Sequence, residues 1–343
     1  MTVLARQCSV SYQVTLSMLL FPGAASSQSE PAHGRQGASI VYSSSVQPYL
    51  PQIPPAMPEN SKYMGRSRDV AVGAPPMPPK LASKEHERAF LKFRLAQAYR
   101  LFGKLGYDEG VAGHITVRDS IRTDCFWVNP FGKHFSMIQP EDLILVNHGA
   151  EVQVEESGPN VLLNKAAFMI HGAIHEARPD VHCAAHSHSI YGRAFSTLGK
   201  ELSMITQDSC AFYEDHALYD QYGGLVLGEE EGEHIAKALG KKKAAILQNH
   251  GLLVATDSIE ATVHFFMTME KSCQVQLAAE AAAAGTGRKP IEIPAAEAAA
   301  VYKVTGSNYG GWFSGRPHFE LLEHLEGEKF DFERGEVVKV AKP

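Results

Sequence analysis

Apolar and polar positions along the chain predict a sequence of short elements that begins well inside the N-terminus. From Ser83, a good N-cap residue, Phe90, Leu91, Leu95, Ala98, Leu101 and Phe102 recur at the spacing of one helix face, and Gly103 and Gly106 end the run. Between 106 and 154 the pattern shifts to short β-type runs at 115–117, 125–128 and 143–146, with Asn129-Pro130-Phe131-Gly132 as the turn after the second. A helix is predicted over about 164–176 and is stopped by Pro179. The strand that follows, 181–185, runs straight into His186-Ser187-His188, and a further helix covers 191–198. Another apolar strand, 244–247, ends at Gln248-Asn249-His250-Gly251. Asp257 with Glu260 three residues on forms a capping box for a long helix over 258–284, closed by Gly285. Beyond 285 the pattern becomes irregular, so 286–343 reads as a C-terminal extension anchored by Trp312-Phe313 and Phe330-Asp331-Phe332, packed on the domain or on a neighbouring subunit.

Composition changes the reading mainly at the N-terminus. Eleven of the 19 prolines fall between Pro22 and Pro79, too many for helix or a central strand, so 1–82 reads as an extended, disordered arm. The first acidic residue is Glu30, and the apolar run 14–21 precedes Pro22-Gly23-Ala24-Ala25, so a leader over 1–25 has to be considered; Arg6 is its one positive charge. A net charge of −6 with 20% charged and 44% hydrophobic residues fits a soluble cytoplasmic protein and argues against a nucleic-acid surface. Lys241-Lys242-Lys243 reads as a solvated loop between a helix and a strand. No stretch of about 20 apolar residues exists to cross a membrane. Five scattered cysteines without CxxC spacing exclude a disulfide framework and a thiolate zinc site, and Cys183 reads as a buried small hydrophobe.

The candidate chemistry lies in the histidines. In His186-x-His188 the side chains are two apart, so on a strand both imidazoles point the same way and can converge on one ion. His250 ends a different strand immediately before Gly251, where a missing side chain permits a sharp turn. Three imidazoles with one position left open describe a catalytic divalent site rather than a structural one. A rival pair, His171 and His175, has the i, i+4 spacing of one helix face but lacks the glutamate of an HExxH site; His171 can also line the pocket.

Several segments resemble a known family. Asn164-Lys165-Ala166-Ala167-Phe168-Met169-Ile170-His171, Ala177-Arg178-Pro179-Asp180, His186-Ser187-His188 and Asn249-His250-Gly251 look like successive motifs of the class II aldolase/adducin domain, as do Gly113-His114-Ile115-Thr116-Val117-Arg118 and Asn129-Pro130-Phe131-Gly132 upstream. The resemblance covers about 85–285 and is nearer in wording to the adducin head and its fungal relatives than to the sugar-phosphate aldolases. It implies an α/β domain over 83–285, a class II aldolase-like three-layer fold whose central, mainly antiparallel or mixed β-sheet is flanked by helices. It also implies a divalent ion on His186, His188 and His250, zinc first, with Fe2+, Mn2+ or Co2+ as alternatives, acting as a Lewis acid in carbon–carbon bond cleavage. Gly113, His114, Asn129 and Lys165 then fall at the substrate.

Two departures qualify that transfer. The aldolases' glutamate acid/base lies eleven residues before the Arg-Pro-Asp motif, and that position here is Ala167, which cannot move a proton. Positions that cradle a phosphate correspond to Val111, His114, Phe131, Lys165 and Ala166. Phe131 adds apolar surface, Lys165 or His114 can meet an anion, and proton transfer falls to His171, one turn beyond Ala167, or to Tyr213. The expectation is a metal-dependent lyase, aldolase or decarboxylase, acting on a non-phosphorylated oxo or hydroxy compound. The alternatives are a non-catalytic adducin-like interaction protein related to actin and the cytoskeleton, and an iron-dependent oxidative enzyme. The family's habit implies a homo-oligomer, a tetramer, with Tyr309, Trp312 and Phe313 as residues that a neighbour would lend to the site.

Overall fold

The structure, a computed structural model, describes residues 75–224 and 229–342. The expectations of a leader and of a disordered arm up to residue 74 lie outside the described residues, and 75–82 carry neither helix nor strand. Helix α1 (Lys84–Leu105) starts where Ser83 Oγ accepts the His86 N–H at 3.2 Å, and it ends at Gly106 alone, in the left-handed conformation. Gly103 lies inside the helix, where a Cβ would stand 2.3 Å from Ser136 Oγ. Its role is close approach rather than termination.

Strands β1 (His114–Arg118), β2 (Cys125–Val128), β3 (Ile144–Asn147), β4 (Cys183–Ser187), β5 (His216–Tyr219), β6 (Ala244–Leu247) and β7 (Gly251–Thr256) form one sheet in the order β3-β2-β1-β4-β7-β6-β5. Every adjacent pair is antiparallel except β5 and β6. Alternate residues divide between two apolar layers. Ile115, Val117, Cys183, Ala185, Leu252 and Val254 pack with α1, with α5 (Ile259–Ala284) and with α7 (Asn308–Glu326). Ala184, Leu253, Ala255, Ala245 and Leu247 face α2 (Lys165–Ala177) and α4 (Glu229–Leu239). Because both faces are covered, the strands read as unbroken apolar runs, and the period of two does not show in them. The result is a three-layer α/β fold with a mixed, mainly antiparallel sheet, as expected.

Three local readings need correction. The Asp257/Glu260 capping box does not form: Ser258 occupies the N-cap of α5 without a side-chain bond, and the Glu260 carboxylate pairs with Arg94 at 3.1 Å. The region after 285 is not irregular but forms α6 (Ala295–Thr305), α7 and a hairpin of β8 (Glu328–Asp331) and β9 (Glu336–Lys339). Glycines conceal α7 from propensity: a Cβ at Gly311 would stand 2.4 Å from the Phe265 ring, and one at Gly315 would stand 2.2 Å from the Glu260 carbonyl. Close packing on α5 offsets the poor helix propensity of those residues. Trp312 and Phe330 are buried anchors, Phe330 lying 5.3 Å from the Phe90 ring, so the extension packs on its own domain.

Finally, Lys243 is not solvated. Its ammonium is buried against Asp215 Oδ2 at 2.6 Å and the Gly306 carbonyl at 2.9 Å, and the Tyr302 hydroxyl donates to the same carboxylate oxygen at 2.6 Å. The triad fastens α6 to the sheet.

Candidate metal centre

The pairing of β4 with β7 places the three histidines. Ser187 stands opposite Leu252 and His186 opposite Leu253, so the turn before β7 lies beside the end of β4. In that turn Asn249 takes a left-handed conformation (φ 58°) and the His250 N–H donates to the Leu247 carbonyl at 3.0 Å. At Gly251 a Cβ would come within 2.7 Å of the Ser187 carbonyl oxygen, so the two strands approach this closely only because the side chain is missing. One ligand atom from each of His186, His188 and His250 lies within 4.8 Å of the others, and this is the metal-type cluster found among the described residues.

The chemistry of the donors fits an ion. His186 Nδ1 lies 2.9 Å from the Leu252 carbonyl, which can only accept, so the proton sits on Nδ1 and Nε2 is free to ligate. Burial, followed by the charges of neighbouring imidazoles, holds His186 well below the ordinary imidazole range. Burial also pushes His250 down to about 4, with His188 the second cause. His188 is lowered by burial and then by the Arg193 charge. All three are therefore neutral at neutral pH, the form that binds metal.

The triad lies in the wall of a cavity of about 450 Å³. Val111, Phe131, Ile170 and Tyr222 supply apolar wall; Asn164, Asn249, His114 and Arg193 supply polar groups. Ala167 lines it as well, and among the described residues no carboxylate does. Gly113 (φ 88°) and His114 are at the cavity, and His114 is 3% exposed with neither ring nitrogen hydrogen-bonded. Burial pushes His114 down to about 3, with His250 and His188 adding to the effect. Asn129 borders a small recess beside the cavity, and its Oδ1 accepts the Tyr99 hydroxyl at 2.7 Å. Lys165, expected at the substrate, is exposed at the start of α2 and does not line the cavity. Tyr213 is half-buried on the turn after a short 3-10 helix and is not brought to this cavity either. Tyr309 and Trp312 line a separate groove with Arg118, at the end of β1 opposite to His114.

The rival pair of histidines has a different partner. Thr116 Oγ1 lies 2.7 Å from His171 Nδ1 and 2.8 Å from His175 Nε2, while His175 Nδ1 lies 3.3 Å from the Val181 carbonyl. That carbonyl can only accept, so neutral His175 carries its proton on Nδ1 and accepts the threonine hydroxyl at Nε2. The hydroxyl oxygen then accepts from His171 Nδ1–H, which leaves His171 Nε2 bare. Among the described residues that nitrogen has no hydrogen-bond partner, and the His171 ring packs on His114 at 3.9 Å. A threonine, not a metal, thus joins His171 and His175.

Spacing did not point to Arg193, Asn249, Thr116 or Glu270. Glu270 on α5 accepts from Ser189 Oγ at 2.5 Å, Tyr191 N–H at 2.8 Å and Gly192 N–H at 2.7 Å, fixing helix α3 (Ile190–Ser196) directly after His188. Such contacts join residues about 80 apart in the chain and leave no local signature.

Fold and site together define an α/β domain of the class II aldolase fold with a three-histidine cluster at one cavity, and comparison with known proteins agrees on the family. Residues 93–277 match the class II aldolase and adducin N-terminal domain, and the chain belongs to that family. It is 44% identical over 244 residues to a protein of Streptomyces niveus named decarboxylase NovR, covering 71% of this chain and 87% of that one. It is 43% identical, over 71% of this chain and 85% of the relative, to the 4-hydroxy-3-prenylphenylpyruvate oxygenase/4-hydroxy-3-prenylbenzoate synthase of Streptomyces roseochromogenus subsp. oscitans. Among solved structures, an L-fuculose 1-phosphate aldolase from Glaciozyma antarctica PI12 matches with a TM-score of 0.67 and 47% identity, over 73% of this chain and 95% of that one.

Proposed function

We propose that this protein is a metal-dependent carbon–carbon lyase of the decarboxylase type, acting on a non-phosphorylated oxo or hydroxy acid. The observation that carries the reading is a cavity with three neutral imidazoles and, among the described residues, no lining carboxylate, Ala167 standing where a base would be. Retro-aldol cleavage needs a base to take a hydroxyl proton before the bond breaks. Loss of CO2 from a 3-oxo acid needs none, because the electron pair of the breaking bond forms the carbon–carbon double bond of an enolate whose charge rests on the oxygen of the 3-carbonyl. A divalent ion on His186, His188 and His250, zinc or otherwise Fe2+, Mn2+ or Co2+, would polarise that carbonyl and offset the charge developing on it.

The chain's own residues supply the rest. Val111, Phe131 and Ile170 exclude water from the reacting centre. The enolate left by CO2 needs one proton, which water supplies; neutral His114 at the cavity wall, its ring packed on that of His171, can pass it on by donating from one ring nitrogen while the other accepts. Exposed Val111, Ile190 and Tyr222 support assembly as a homo-oligomer, a tetramer by the family's habit.

Metal analysis of the purified protein, followed by CO2 release from a panel of 2-oxo, 3-oxo and hydroxy acids, tests the proposal. Stoichiometric metal that is lost in His186→Ala and His250→Ala is expected, with CO2 release lost alongside it. A parent protein without stoichiometric metal would sink it. The relative named an oxygenase favours a second reading, iron-dependent oxidative cleavage, since three imidazoles also suit Fe2+. Oxygen consumption that depends on Fe2+ and keeps pace with CO2 release would select it.

A further inference from the structure

Resting on that reading, we infer that Arg193 is the anchor for a substrate carboxylate, and that Glu109 occupies this anchor until substrate arrives. Among the described residues lining the cavity, Arg193 is the one side chain of the Arg, Lys, Asp and Glu types. A bound divalent ion would add to its charge, so the cavity is built for an anion. The anion is a carboxylate rather than a phosphate, because Val111, Phe131 and Ala166 make one stretch of the wall apolar, where a phosphate with its three free oxygens would need several donors.

The guanidinium is placed firmly and used lightly. Its helix α3 is pinned by the three hydrogen bonds to Glu270, and a Cβ at Gly192 would stand 2.5 Å from the Leu252 side chain, so α3 lies directly on β7. The stem of Arg193 is thereby fixed relative to His188, five residues earlier. Its recorded bond among the described residues is from Nη2 to Glu109 Oε1 at 2.7 Å, which leaves most of the donor fork open. Glu109 does not line the cavity, and the two side chains are 39% and 44% exposed. A pair so exposed is weak, and a second carboxylate that can bind the fork in bidentate fashion displaces it easily. The competing explanation is an ordinary surface ion pair at the cavity mouth, in which case neither residue reads the substrate.

The test is calorimetric binding of benzoylformate and of its uncharged methyl ester to the metal-loaded full chain, as wild type, Arg193→Gln, Arg193→Lys and Glu109→Gln. Metal content is measured for each variant. The wild type is expected to prefer the acid. Arg193→Gln should weaken the acid about 10-fold to 100-fold and leave the ester unchanged, while Arg193→Lys keeps part of the preference. Glu109→Gln should tighten the acid several-fold by removing its competitor, an effect a merely structural ion pair would not give. A wild type that binds the acid no better than the ester overturns the inference. So does Arg193→Gln that retains the preference or loses acid and ester alike, and unchanged or weaker acid binding by Glu109→Gln overturns the competition. Failure of the lyase reading is distinguishable, since it would appear as absent metal or absent CO2 release with the acid preference intact.

Discussion

Mild acid is expected to destabilise the metal-free protein within a window set by its buried imidazoles. Burial, with the Arg118 charge as the second cause, pushes His175 down to about 3, and burial pushes His114 to about the same value. In the unfolded chain each titrates near about 6.5. These folded-state values are depressed, so protons bind preferentially to the unfolded chain. The stability is fully present above about pH 6.5 and is lost as pH falls toward the folded-state value. Between pH 7.5 and 5 each imidazole removes about 2 kcal/mol, and the two together about 4 kcal/mol. That is a large share of the roughly 5–15 kcal/mol typical of a domain. His171 and His186 are shifted in the same direction and add to the loss. Carboxylates stabilised by the fold, such as Asp119, act mainly below this window. Urea unfolding in the presence of EDTA, followed by fluorescence of the buried Trp127 and Trp312, measures the change. A loss below about 1 kcal/mol between pH 7.5 and 5 would refute the conclusion that these imidazoles stay neutral inside the fold.

Three substitutions probe the surrounding supports. Thr116→Val leaves one nitrogen each of His171 and His175 unpaired and is expected to lower stability by about 2–4 kcal/mol, whereas Thr116→Ser retains the hydroxyl; equal urea midpoints for Val and wild type would contradict the bridge. Glu270→Gln keeps the volume but loses part of the grip on α3, so metal affinity, measured by competition with a chelator, should fall about 10-fold; an unchanged affinity would separate α3 from the orientation of His188. Lys243→Met strands the Asp215 carboxylate and should lower stability by about 3 kcal/mol or more; a change under about 1 kcal/mol would show that α6 is held by other contacts.

What the sequence made legible was whatever depends on neighbours along the chain. The apolar stripe of α1, the four-residue strand β6 and the shared direction of His186 and His188 follow from local periodicity, and the structure contains all three. Helix α7 escaped because Gly311 and Gly315 look like breakers until Phe265 and the Glu260 carbonyl are seen pressed against them. Helix α4 was anticipated only as a helix of unstated bounds before Lys241, and strand β7 was not anticipated, because its six residues are all buried and show no alternation. In the site, the triad was readable from spacing. Thr116, Glu270 and Arg193 act through contacts with residues far away in the chain, while Lys165 was placed at the substrate by the family resemblance and Tyr213 by its chemical type, neither of which fixes where a side chain lies.

The tight Gly251 turn has a further consequence. It ties two of the ligand-bearing segments to the centre of the sheet, while Phe131, Ala167 and Arg193 come from a loop and two helices outside it. Exchanging a wall residue therefore changes which molecule is accepted, or which proton can move, without loosening the ligands. A scaffold divided in this way can pass from one reaction to another through single substitutions at wall positions such as 131, 167 and 193, the three imidazoles keeping their places.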